Sequence, residues 1–117
     1  MTRRTLGIFF TLATVCATAA AQPVTVDRDD HPSAISGRGI ATADFNRDGW
    51  IDLVTAHNDP DGVSVLINRG RAGGYTSSFI SLPGGPFGVT TGDLNKDGKP
   101  DIVTATAFGT FVFFSKP

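Results

Sequence analysis

Gly39-Ile-Ala-Thr-Ala-Asp-Phe-Asn-Arg-Asp-Gly-Trp-Ile-Asp-Leu-Val-Thr-Ala56 aligns without a gap with Gly88-Val-Thr-Thr-Gly-Asp-Leu-Asn-Lys-Asp-Gly-Lys-Pro-Asp-Ile-Val-Thr-Ala105. The offset is 49 residues, ten of the 18 positions are identical, and four more are conservative (Ile40/Val89, Phe45/Leu94, Arg47/Lys96, Leu53/Ile102). A repeat of this length decides the architecture, because each copy must be one supersecondary unit that buries its apolar face against the next.

Each unit divides into short extended runs. In the first, Ile40–Ala43 is one strand and the apolar run Leu53–Ala56 a second. Asn58-Asp59-Pro60-Asp61-Gly62 is turn-forming by composition. Val63–Asn68 is a third strand, with Val63, Val65 and Ile67 on one face by the two-residue period. Arg69 to Tyr75 is a glycine-rich loop, Tyr75–Leu82 a fourth strand, and Pro83-Gly84-Gly85-Pro86 ends it. The second unit repeats strands one and two, turns near Phe108-Gly109 and ends on a third strand, Thr110–Phe114. Val24–Val26 reads as a fourth strand that precedes the first unit. The expected fold is therefore all-β, with two four-stranded propeller-blade-like repeats forming part of a β-propeller. Residues 39–87 make the first repeat, residues 88–117 the second and incomplete one, and residues 22–38 an N-terminal strand and linker. Two blades do not close a ring, so a longer protein, paired sheets or self-association of copies is expected.

The first residues read differently. Arg3 and Arg4 precede an apolar run from Leu6, and Ala19-Ala20-Ala21 offers a cleavage site before Gln22. That order marks residues 1–21 as a secretory signal peptide, leaving a secreted, extracellular or periplasmic protein with no membrane span in its mature form. Its 96 residues then hold no cysteine, because Cys16 is the only one in the chain, so disulfides cannot staple so small a domain. Without Arg3 and Arg4 the chain has 8 basic against 11 acidic residues, a net charge of −3. No basic cluster offers a nucleic-acid surface.

All 11 acids are Asp, and six of them lie in two nine-residue windows with the pattern D-x-N-x-D-G-x-x-D. The first contains Asp44, Asn46, Asp48, Trp50 and Asp52; the second contains Asp93, Asn95, Asp97, Lys99 and Asp101. Oxygen ligands at positions 1, 3 and 5, with glycine at 6, are how a short loop wraps a hard cation. Trp50 and Lys99, at position 7, would offer backbone carbonyls, and Asp52 and Asp101 would close the shell. The set suits Ca2+, about one per loop, which takes roughly six to eight oxygens at about 2.3–2.6 Å. A true EF-hand would carry Glu at position 12, where this chain has Thr55 and Thr104. A turn's ordinary taste for Asp explains Asp48-Gly49 but not five matched positions twice over.

With those residues in view, Asp44 to Ala56 and Val-Ser-Val-Leu-Ile-Asn at 63–68 resemble the FG-GAP/VCBS-type repeats. These are the calcium-loop blades of integrin α-chain propellers and of many secreted bacterial proteins. The resemblance covers about residues 24–117 and implies a β-propeller, a structural calcium in each loop, and adhesion or ligand display. The family usually has several more blades than this chain. No nucleophile elbow or phosphate loop is present, so the expected role is a non-enzymatic module that binds a protein or glycan. The alternative is a fragment or accessory region of a longer secreted enzyme or propeller protein. Of the two histidines, His31 reads as linker and His57 as a turn residue.

Overall fold

The computed structural model describes residues 35–116, and these form seven strands in two antiparallel sheets. The first sheet contains β1 (Ile35–Ala43), β2 (Asp52–Asp59), β3 (Asp61–Asn68) and β4 (Tyr75–Ser81), in that spatial order. The second contains β5 (Pro86–Gly92), β6 (Asp101–Thr106) and β7 (Gly109–Phe113). Every strand pairs with its neighbour in sequence, as short hairpin connections require. A 3-10 turn at Gly70–Ala72 is the one helical element among the described residues, and none of these residues forms a helix able to cross a membrane. The expected signal peptide and the strand at Val24–Val26 lie outside the described residues.

The repeat is visible in the ladders. β1 slips register between Gly37 and Gly39, and β5 does so at the equivalent pair, Pro86 and Gly88. The extra residue, Arg38 or Phe87, is a β-bulge that bends each first strand at the same place. The two hairpins differ. Asn58 faces Asp61 around Asp59-Pro60, a cis peptide, whereas Thr106 faces Gly109 around Ala107-Phe108. Only two of the five turn-forming residues at 58–62 are spent on the turn, so β2 and β3 run further than composition predicts. His57 thereby sits inside β2, fully buried, with Nε2 2.8 Å from Ser64 Oγ, and is not a turn residue.

Alternation along β2 and β3 puts Val54, Ala56, Val63 and Val65 on one face. That face packs on Ile102 of the second sheet, joined by Leu82 beyond β4 and by half-buried Val89, Phe111 and Phe113. The opposite face of β3 is also covered, since Leu66 and Ser64 are buried. The period-two reading of β3 therefore finds only one of its two packed faces. An interior strand of a four-stranded sheet has neighbours on both sides, and here Phe79 of β4 stands opposite Ser64 with its ring 6.1 Å from that of His57.

The sheets meet along their first strands. A Cβ on Gly39 would lie 3.2 Å from both Gly88 Cα and Val89 N, so the backbones touch where neither side chain intervenes. Thr91 Oγ1 donates to the Thr42 carbonyl at 3.0 Å. With its amide oriented to suit its neighbours, Asn58 donates to the Pro86 carbonyl at 3.2 Å and accepts from Arg38, tying the hairpin tip of one sheet to the start of the other. The fully buried apolar side chains are few and small, and burying a valine such as Val54 or Val63 contributes at most about 1.5–3 kcal/mol.

Candidate metal centre

Each Asp-rich loop joins the first strand of a unit to its second, so both loops leave the end where the sheets touch. Within the first loop, Asp48 N–H points at Asp44 Oδ1 (3.1 Å) and Asn46 Oδ1 (3.2 Å), while Gly49 N–H donates to Asp44 Oδ2 (2.8 Å). Trp50 N–H donates to Asp48 Oδ1 (2.9 Å), and Asn46 Nδ2 donates to Asp48 Oδ2 (2.9 Å). The second loop copies this bond for bond. Asp97 N–H faces Asp93 Oδ1 (3.1 Å) and Asn95 Oδ1 (3.2 Å), Gly98 N–H reaches Asp93 Oδ2 (2.8 Å), and Lys99 N–H reaches Asp97 Oδ1 (2.9 Å). Asn95 Nδ2 donates to Asp97 Oδ2 (3.2 Å).

The bend is made by two residues with positive φ in each loop. Gly49 (+87°) and Gly98 (+78°) take it freely, but Arg47 (+58°) and Lys96 (+59°) have side chains and pay for it, at about 1–2 kcal/mol each. Strain held at the same place in both copies needs a compensating network, which the side-chain carboxylates of positions 1 and 5 supply.

Asp52 and Asp101 stand apart from the rest. Both are fully buried. Asp52 Oδ2 accepts from Phe45 N–H and Oδ1 from Asn68 N–H, each at 2.8 Å. Asp101 Oδ2 accepts from Leu94 N–H (2.8 Å) and Oδ1 from Ser115 N–H (3.0 Å). One charge thus pins the loop entrance, the start of the second strand and the end of the third. A second bond locks the same corner: Asn68 Nδ2 donates to the Ile51 carbonyl (3.1 Å), and Ser115 Oγ donates to the Pro100 carbonyl. Sequence reasoning missed Asn68 and Ser115 as loop partners, because they follow the ninth-position Asp by 16 and 14 residues and the spacing matches only once the shorter second hairpin is known.

Among the described residues no three acidic or imidazole side chains gather closely enough to hold an ion by themselves. Each loop instead turns one carboxylate, Asp44 or Asp93, and one amide oxygen, Asn46 or Asn95, to the N–H of position 5, while the position-5 carboxylate beside them takes the position-7 N–H and the Asn amide; all three are hard donors. The third carboxylate is turned to backbone N–H groups, and each of its oxygens keeps a further lone pair. These residues fit a hard oxygen-seeking cation in kind and do not fit a soft one.

The charges reinforce the arrangement at the second loop. The Lys99 N–H bond holds the Asp97 carboxyl below the ordinary aspartate range against the opposing effect of burial, helped by the Asn95 amide and the charges of Lys99 and Arg47. Trp50 is 44 % exposed and lies on Gly70 of its own unit, where an added Cβ would run into the indole.

Comparison with curated proteins and with solved structures finds no match. A family model, described as FG-GAP-like repeat, matches residues 44–104, from the first aspartate of the first loop to β6 of the second sheet. With more than half its length in that match and both loops inside it, the chain belongs to the FG-GAP-like repeat family.

Proposed function

We propose that this chain is a secreted, propeller-blade-type module in which each Asp-rich loop holds one structural Ca2+ and the exposed loops engage a protein or glycan. The observation that carries the reading is the bond-for-bond identity of the two loops, down to the positive φ at Arg47 and Lys96. Two segments that differ at position 7 and in the residue after it keep the oxygen donors and the strain, which is expected if the donors serve a common ligand.

Asp44, Asn46, Asp48, the Trp50 carbonyl and the free lone pairs of Asp52 would hold one ion. Asp93, Asn95, Asp97, the Lys99 carbonyl and Asp101 would hold the other. Calcium is preferred to magnesium because the loops offer many protein oxygens in an adaptable bend rather than a small octahedral cage. The ion would offset the mutual repulsion of the Asp44 and Asp48 carboxylates and stabilise the folded state by mass action, about 2.7 kcal/mol at a hundredfold excess over Kd.

Calorimetric titration of the metal-free mature chain tests the proposal. Two calcium ions per chain are expected, with loss of one in Asp48→Ala and of the other in Asp97→Ala. No heat from the wild-type chain at millimolar calcium would end the calcium reading.

A further inference from the structure

The two loops touch each other. Arg47, fourth in the first loop, places Nη2 3.1 Å from the backbone carbonyl of Asp97, fifth in the second. A Cβ on Gly98 would come within 2.7 Å of the same nitrogen, so the guanidinium lies against the bare Asp97–Gly98 peptide. That peptide is held at both ends: its carbonyl by Arg47, and its N–H by Asp93 Oδ2 at 2.8 Å. A charged donor on the carbonyl polarises the peptide and strengthens the N–H bond on its other side.

The other end of Arg47 is equally fixed. Its backbone is the strained turn of the first loop, and the next N–H is the one shared by Asp44 and Asn46. Lys96 occupies the same place in the second loop and makes no such bond among the described residues. The link therefore runs one way along the chain, from the bend of the first loop to a peptide of the second.

We infer that Arg47 is a positioning residue for the second loop, so that the two loops fill cooperatively. The inference rests on the reading of the loops as calcium sites. An ion that orders the first loop fixes the root of Arg47, Arg47 fixes the Asp97–Gly98 peptide, and the peptide N–H aims Asp93. Because binding free energies are reciprocal, filling the second loop favours the first by the same factor. Repulsion between the guanidinium and a second cation opposes this. It is the weaker effect, because Arg47 is exposed to water, whose high dielectric constant reduces charge repulsion at the surface, and it bonds a carbonyl rather than consuming a carboxylate oxygen.

The test is a calcium titration of the mature chain followed through the Gly49 and Gly98 amide resonances, which report the two loops separately. Arg47→Ala is expected to weaken binding in the second loop about fivefold or more, the low end of allosteric couplings. Arg47→Lys is expected to fall between that variant and wild type. In metal-free protein the Gly98 amide should move in Arg47→Ala, whereas Lys96→Ala should leave the Gly49 amide in place. Second-loop binding within twofold of wild type, or tighter, in Arg47→Ala overturns the coupling and leaves the calcium sites standing. A wild-type chain that takes up no calcium overturns both.

Discussion

The buried carboxylate of Asp52 accepts the backbone N–H of Asn68, at the far end of β3, at 2.8 Å. Asp101 holds Ser115 in the same way. Because the other oxygen of each takes an N–H from the loop entrance, the ninth position of the motif has a role that does not depend on any ion. It closes the corner of the unit, and positions 1, 3 and 5, half-buried at Asp44 and exposed at the other five, organise the loop itself.

Asp52→Ala is expected to destabilise the metal-free protein by about 2–6 kcal/mol, since it leaves two N–H groups without an acceptor at roughly 1–3 kcal/mol each. Asp52→Asn should cost less, because its carbonyl oxygen still takes one N–H while its amide nitrogen opposes the other. Urea unfolding in the presence of a chelator measures both. An alanine variant as stable as wild type would show that the clamp contributes nothing.

Asp44→Ala should behave in the opposite sense with respect to calcium. Its two N–H bonds are at the surface, where water replaces them, so the loss in chelator should be about 1 kcal/mol or less. In excess calcium the gap to wild type should widen by the binding term of one loop. Thermal melts with and without calcium separate the two. An Asp44→Ala gap that calcium does not change would remove position 1 from the ligand set.

The Asp97 carboxyl should titrate below the ordinary aspartate range, because the Lys99 N–H bond favours its charged form. The sign follows from linkage. A folded-state pKa below the unfolded one contributes stability that is present in full above the unfolded value and is lost as pH falls through the folded value. The second loop should therefore hold its shape to lower pH than a free aspartate would allow. Carbon-detected NMR titration reads the midpoint directly, and a midpoint at or above the free value would show that the Lys99 bond is not kept in solution.

Much of this was legible in the residues. The offset of 49 located both loops, and the alternating and apolar runs located every described strand, because those signals are local. What escaped was set by pairing across the sheet. His57 reads as a turn residue until the ladder shows that Asp59-Pro60 alone makes the turn. Leu66 reads as outward-facing by alternation, yet it is buried. Arg38 gives no sign in sequence that it is a bulge, and the roles of Asn68 and Ser115 follow only from the register that brings them beside Asp52 and Asp101.

Gly39 and Gly88 occupy the same position in the repeat but not the same surroundings, which makes them a paired test of how the sheets pack. An added methyl at Gly39 meets the Gly88 Cα and Val89 N at 3.2 Å, and both are backbone atoms that cannot swing aside. An added methyl at Gly88 meets nothing within 4 Å. Gly39→Ala should therefore cost about 1–3 kcal/mol, the range for overpacking a close contact. Gly88→Ala should be neutral or stabilise by up to about 1 kcal/mol through the unfolded chain. The outward faces differ for the same reason, since Val54 and Ala56 are fully buried between the sheets while Ala105, equivalent to Ala56, is exposed. Equal effects of the two glycine substitutions on the unfolding midpoint would mean that the close approach of β1 to β5 does not persist in solution. A large loss at Gly88 instead would mean that another sheet covers the outer face of β5.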